Sequence, residues 1–369
     1  MGHKKQLDYI RKTQGADSGI VCLMSGNFVQ RGMPAIIDKS LRAKAAVLCG
    51  ADLVLELPIT ASLDSAEGFA AKGVSILSGF CDFLCFGAET AQKAELLNIA
   101  QALVSEDFKH VLRIHLDKGL SFPVARQAAL EDMGIQADLL AYPNNILAVE
   151  YCKAILTQGC KMTPMPILRQ GDYHDTAPDK ENPSATALRQ MMENGQDYTG
   201  YIPREAVACF ENASIHTLAA GERAILARLR CMTDAEFEAL PYGSEGLWRK
   251  LMHDTRKEAT LADIINATKS KRYTRTRLDR MVMCAYLGLT ETDLNTPAPY
   301  VRVLALNDRG REILRLARQK GEFINAGEVI DHPYQALENR CSDLYGLFQK
   351  HSPGAPGTEN TRRIFYHKP

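Results

Sequence analysis

The chain has 369 residues, 46% apolar and 24% charged, with 44 Lys and Arg against 44 Asp and Glu. That composition suits about two or three globular domains and excludes disordered, collagen-like, coiled-coil and disulfide-scaffold chains. No window holds about 18 uncharged apolar residues, so no membrane span is expected, and with zero net charge any nucleic-acid site must be a local patch.

Ten Cys without a C-x-x-C pair, and no apolar leader after Met1, make a reduced, cytoplasmic setting the expectation. Residues 4–14 place Leu7 and Ile10 three apart on a polar background, a short helix closed by Gly15. Residues 20–24 are a continuous apolar run, which suits a buried strand, and Ser25-Gly26-Asn27 break it. Residues 39–48 read as a helix with Asp38 as N-cap. A second strand at 52–57 stops at Pro58, and a helix at 65–77 follows. A third strand at 83–86 ends in Gly87-Ala88-Glu89, and 91–104 is helical. Strands alternating with helices predict an α/β, Rossmann-like parallel sheet. Ligands of such sheets bind beyond the C-terminal strand ends, here at 25–32, 58–62 and 87–90.

Further along, a helix at 144–156 precedes a strand at 164–168 that delivers Arg169. A polar loop, 169–183, leads to a helix at 184–192 capped by Ser184. From about residue 202 helical patterns dominate, including 219–231 and 234–240, until a strand at 301–306. The expected division is a nucleotide-binding domain of residues 1–200 and a mainly helical domain of 201–369. The tail from Pro353 is expected to fray.

Several residues have the chemistry for a site. His3 stands before the first helix, whose free N–H groups attract anions, or is a solvent-exposed bystander. Ser25, Gly26, Asn27, Gln30 and Arg31, followed by Lys39, make a donor-rich active-site loop or a polar turn with a capped helix. Asn144 and Asn145 are donors or ordinary caps. Arg169, at a strand end, can grip a triphosphate bidentately or pair with Asp172. Ser184, Thr186 and Arg189 form a phosphate cradle or a capped helix with a surface Arg. Residues 269–280 hold six cations and one acid in a neutral protein. There Lys271, Arg272, Arg275 and Arg277 would meet phosphates and Tyr273 would stack on an unpaired base, unless the segment is only a solvated basic face.

Longer motifs add to this. They are Met-Ser-Gly-Asn-Phe-Val-Gln-Arg-Gly-Met-Pro-Ala (24–35), Asp-Lys-x-x-Arg-Ala (38–43), Asp-Leu-Val-Leu-Glu-Leu-Pro (52–58) and Cys-Phe-Gly-Ala-Glu (85–89). Pro-Asn-Asn-Ile-Leu-Ala-Val-Glu-Tyr (143–151), Asp-Tyr-His-Asp (172–175), Lys-Arg-Tyr-Thr-Arg-Thr-Arg (271–277) and Pro-Tyr-Val-Arg-Val-Leu (299–304) complete the set. Together they resemble the bacterial tRNA(Met) cytidine acetate ligases, over nearly the whole chain. The resemblance implies a nucleotidylyltransferase-like part with a His-x-Gly-His motif that makes acetyl-adenylate from ATP and acetate. The acetyl group then passes to the wobble cytidine of elongator tRNA(Met). It puts ATP contacts on His3, Gly87, Asn145 (Asn144 the near alternative) and Arg169, and phosphate contacts on Gly2, Ser184, Thr186 and Arg189. It gives the basic segment to tRNA and brings Mg²⁺ with ATP, its ligands unassigned. No membrane or protein partner is implied.

Members of that family open with a strand and a turn reading roughly Glu-Tyr-Asn-Pro-Phe-His-Asn-Gly-His, of which Gly2-His3 stands here. The first strand and first His are therefore expected to be missing and adenylation to be impaired. Two other readings stand beside this one. One is an RNA-binding paralogue without catalysis. The other is a cofactor-forming adenylyltransferase, for which a basic, Tyr-containing helical region would be superfluous.

Overall fold

The computed structural model describes residues 2–169, 184–270 and 273–368. Their strands are β1 (Val21–Ser25), β2 (Phe28–Val29), β3 (Met33–Pro34), β4 (Leu53–Leu57), β5 (Phe83–Ala88), β6 (Thr163–Leu168), β7 (Val301–Asn307), β8 (Phe323–Asn325) and β9 (Phe365–His367). The expected α/β class with parallel pairing holds, in two pieces. β1 lies parallel to β4, from Val21↔Leu53 to Ser25↔Leu57. β5 lies parallel to β6 in a separate two-stranded sheet.

The first sheet is then extended by the last third of the chain. β7 runs antiparallel to β4, with Leu53 opposite Leu306 and Glu56 opposite Arg302. β8 and β9 share the far edge of β7, β8 along Val301–Val303 and β9 along Ala305–Asn307. A strand so enclosed must be apolar on both faces, and Val303, Leu304 and Ala305 are all at most 2% exposed. The chain is helical from Arg204–Phe210 to Glu291–Asn295. The strands beyond that stretch nevertheless return to the sheet that β1 and β4 begin.

Local chemistry explains the helix starts. Asp38 accepts the Ser40 N–H at 2.7 Å, opening the helix Lys39–Leu48. Ser65 and Ser184 accept from Gly68 and Ala187 at 3.1 and 3.0 Å. Helices Ala66–Leu77, Lys93–Val104 and Pro143–Thr157 pack their apolar faces together and onto β5, around Val74, Leu96, Val149 and Phe86. A second core, including Phe237, Leu251, Ile265 and Met281, fills the helical stretch.

Two sequence readings are corrected. Helices Glu106–Asp117 and Phe122–Asp132 occupy a stretch given no element, because exposed Ile114, Leu116, Phe122 and Val124 blur the apolar period. The tail does not fray: Glu359 is 1% exposed on the short helix Thr358–Thr361, and β9 is paired. Among the described residues no helix is long and apolar enough to cross a membrane.

Candidate functional site

The C-terminal ends of β5 and β6 lie side by side, with Gly87 opposite Ile167 and Ala88 opposite Leu168. The ladder continues one residue further, where the Arg169 N–H donates to Ala88 O at 2.8 Å. A Cβ on Gly87 would lie 3.0 Å from Arg169 Cγ, so this glycine leaves room for the Arg169 side chain beside the strand end.

Beyond β5 the chain turns onto the start of helix Pro143–Thr157. Glu89 accepts the Asn145 N–H at 2.7 Å, the Asn144 N–H at 3.3 Å and the Asn144 side-chain amide at 2.6 Å. Asn145 Oδ1 in return accepts the N–H groups of Glu89 and Thr90 at 2.9 and 3.0 Å. Free helix N–H groups and a carboxylate satisfy each other here, as in a cap. Asn145 is 2% exposed and faces inward. Asn144 is half-buried, and its Oδ1 accepts from Arg169 Nη1 at 3.3 Å. Of the two asparagines it is therefore Asn144 that stands beside Arg169, while Asn145 holds the turn. Glu89 was not singled out, although its segment was; its signal is an acid one residue past a strand end.

Three arginines, Arg31, Arg169 and Arg189, and the imidazole of His3 are electrostatically linked here. Burial and the charges of Arg189 and Arg169 lower the Arg31 pKa. Burial likewise lowers that of Arg189. His3 is exposed, yet desolvation by the protein around it and the nearby charge of Arg169 hold its imidazole below the ordinary histidine range. Like charges so close repel one another, and a polyanion among them would relieve the repulsion. Gly2 begins the helix Gly2–Gln14 next to His3, and Thr186 lies in the first turn of Ala185–Glu193, one turn before Arg189.

The loop after β1 is more self-contained than its composition suggests. Ser25 and Gly26 present their carbonyls to the Arg42 guanidinium. Asn27 Oδ1 accepts the Lys39 N–H at 3.1 Å, and the Gln30 amide donates to Asp64 O at 3.5 Å. Lys39, expected among the donors of an active-site loop, is 4% exposed with Nζ between Glu56 and Glu359. It begins the helix that passes beneath β4's end, so its ammonium points into the protein. Of this group the electrostatics tie Arg31 to the cationic face.

In the basic segment Lys271 and Arg272 lie outside the described residues. Tyr273, expected to stack on a base, is 8% exposed and donates its hydroxyl to Glu245 O at 2.9 Å. It packs into the helical core, which closes its ring to a nucleobase. Arg277 spends two N–H groups on Tyr242 O, at 3.0 and 2.8 Å, and one on Ser244 Oγ at 2.9 Å. Arg275 is exposed on the first turn of helix Arg275–Leu287, paired with Asp279 at 2.8 Å. Among the described residues no three His, Cys, Asp or Glu side chains are placed to hold a metal ion.

A family description, HIGH Nucleotidyl Transferase, matches residues 1–356. The tRNA(Met) cytidine acetate ligase of Clostridium novyi is 35% identical over 342 residues, 87% of this chain and 86% of that protein. The ligase of the same name from Clostridium acetobutylicum is 32% identical over 374 residues, 95% of this chain and 92% of its own. In fold, the apo crystal structure of Thermotoga maritima TmcAL superposes with a TM-score of 0.90 at 26% identity, covering 100% of this chain and 96% of that one. The structure of TmcAL bound with alpha-thio ATP gives a TM-score of 0.87, again at 26% identity and with the same coverage.

Proposed function

The chain belongs to the tRNA(Met) cytidine acetate ligases of the HIGH nucleotidyl transferase family, and from that premise we propose that it acetylates the wobble cytidine of elongator tRNA(Met) at the expense of ATP. In the first step an acetate oxygen attacks the α-phosphorus. A P–O bond forms, the bond to the β-phosphate oxygen breaks, and acetyl-adenylate and pyrophosphate result. In the second step the exocyclic amine of cytidine attacks the acetyl carbon, AMP leaves with the bonding electron pair, and the amine gives up a proton. Acetate is already ionised at neutral pH, so the first step needs positioned cations more than a general base.

The observation that carries the reading is the pairing of Arg169 with Asn144 at the β5 and β6 ends, beside the room that Gly87 leaves, within reach of the charge of Arg31 and of His3. In this reading Arg169 and Asn144 contact the nucleotide, Gly87 gives them room, and Asn145 with Glu89 fixes the turn that carries them. Gly2, Ser184 and Thr186 supply further phosphate donors. The described residues offer no ready-made set of acidic or imidazole ligands for Mg²⁺, so no step is routed through it. The basic segment, Lys271, Arg272 and Arg275, receives the tRNA, and the work is done in the cytoplasm, where tRNA and ATP meet.

Two measurements test the reading. Acetate-dependent exchange of labelled pyrophosphate into ATP reports the first step, and transfer of labelled acetate to elongator tRNA(Met) reports the second. Exchange without transfer would point to a cofactor-forming adenylyltransferase. Tight tRNA binding with neither activity would favour an RNA-binding paralogue.

A further inference from the structure

A second charged cluster is buried where the tail meets the helix Lys39–Leu48, β4 and β7, and no step above uses it. Lys39 Nζ pairs with Glu56 Oε2 and with Glu359 Oε1, both at 2.7 Å. Arg302 meets Glu338 Oε2 at 2.7 Å and Glu359 Oε1 at 3.2 Å. Arg362 reaches Glu359 Oε2 at 3.1 Å and takes both oxygens of Asp38 at 2.7 Å. Arg42 is the fourth cation, against the four acids Asp38, Glu56, Glu338 and Glu359. A buried set of this kind is tolerated while it balances, and losing one partner leaves another charge uncompensated.

The cluster joins parts of the chain far apart in sequence. Glu359 and Arg362 come from the tail, whereas Asp38 and Lys39 open a helix and Glu56 is near the end of β4. Their partners support the loop 25–32. The Lys39 backbone donates to Asn27, and Arg42 holds the carbonyls of Ser25 and Gly26. Gly26 rides so closely on Glu56 that a Cβ there would overlap Oε1.

We propose that Glu359 and Arg362 are positioning residues for the ligand site: through Lys39, Glu56 and Asp38 they set the loop 25–32, and with it the place of Arg31. Neither residue touches the nucleotide. The proposal rests on the reading of that site as the one for ATP, and its first readout is independent of that reading.

The full chain is compared with Glu359→Gln, which keeps side-chain shape and removes one charge, and with Arg362→Lys, which keeps charge and loses the bidentate grip. Hydrogen exchange is read at the Gly32 and Ala35 amides, which donate to Val29 O at 2.9 Å and Asn27 O at 2.8 Å. Both variants stay folded by circular dichroism, and in Glu359→Gln these amides exchange about tenfold faster while those of β5 and β6 keep the parent rate. ATP affinity, measured by calorimetry, falls several-fold because the resting position of the loop, and not only its rare openings, has shifted. Glu359→Asp restores part of it, and tRNA affinity is unchanged. Parent-like exchange at Gly32 and Ala35 overturns the proposal. So does a variant in which β5 and β6 loosen equally, since that is a general loss of stability. If the parent binds no ATP while Glu359→Gln still shows the localised exchange effect, the proposed function falls and the positioning of the loop stands.

Discussion

Arg169 bears the sharpest single-residue test. Replacing it with Ala should lower acetate-dependent pyrophosphate exchange by at least about a hundredfold, the usual loss when one preorganised donor is removed. Affinity for tRNA, measured by filter binding, should stay near the parent's, because Arg169 ends β6 rather than lying in the basic segment. The reverse pattern would assign Arg169 to the RNA. The two asparagines should separate as cleanly. Asn145→Ala strands the Glu89 and Thr90 amides and should cost about 1–3 kcal/mol in urea denaturation. Asn144→Ala should leave that midpoint in place and weaken ATP. Both asparagines were legible in the sequence as candidates, but which of them turns inward was not. Neighbouring helix positions differ by about 100°, and it is the turn after β5, fixed only in the fold, that decides which meets Glu89.

At the scale of elements, the basic segment is the part to probe as a unit. Lys271→Ala with Arg272→Ala and Arg275→Ala should weaken tRNA binding and reduce its salt slope by roughly one unit per lost phosphate contact. Acetyl-adenylate formation should survive, since it needs no RNA. An unchanged affinity and slope would leave the segment a solvated surface. Tyr273→Phe belongs to another class: it loses a 2.9 Å bond to Glu245 O, worth about 1 kcal/mol of folding stability, and should leave the salt slope untouched. A tyrosine among cations reads as exposed because composition carries no facing information; the packing of Arg275–Leu287 against the helical core turns it in. Long elements with regular apolar spacing were readable almost to the residue, as Lys39–Leu48 is. The two-residue β2 and β3 and the three-residue β8 and β9 were not. They are too short for a period, and the strand that pairs β8 and β9 lies elsewhere in the chain.

For the molecule as a whole, the buried ion cluster should shape acid stability. Burial opposes ionisation of Glu359, but Lys39, Arg362 and Arg302 outweigh it and hold the carboxyl at about 2, against 4.5 for a free side chain. A depressed folded pKa contributes stability that is present above the unfolded value and lost as pH falls toward the folded one. Asp38, held low against its own burial by Arg362, acts in the same direction. Glu56 of the same cluster, raised to about 7 chiefly by burial, acts the other way, but only between about pH 7 and pH 4.5; below that, unfolding free energy should fall from about pH 4.5 to about pH 2, more gently in Glu359→Gln. Equal slopes in the two proteins would show that the acid limb has another source. Alternating strands and helices made the α/β class legible, but this cluster was not, because ion pairs between residues 38–56 and 302–362 leave no local pattern. The late arrival of β7 has a consequence for biosynthesis. β4 meets β7 only when roughly 250 further residues have left the ribosome. Throughout that interval its edge is bare, an open template for mispairing in a crowded cell. Sheet closure is thus a late, nearly post-translational event, and a ribosome stalled in the helical stretch would display a half-built nucleotide fold to chaperones and proteases.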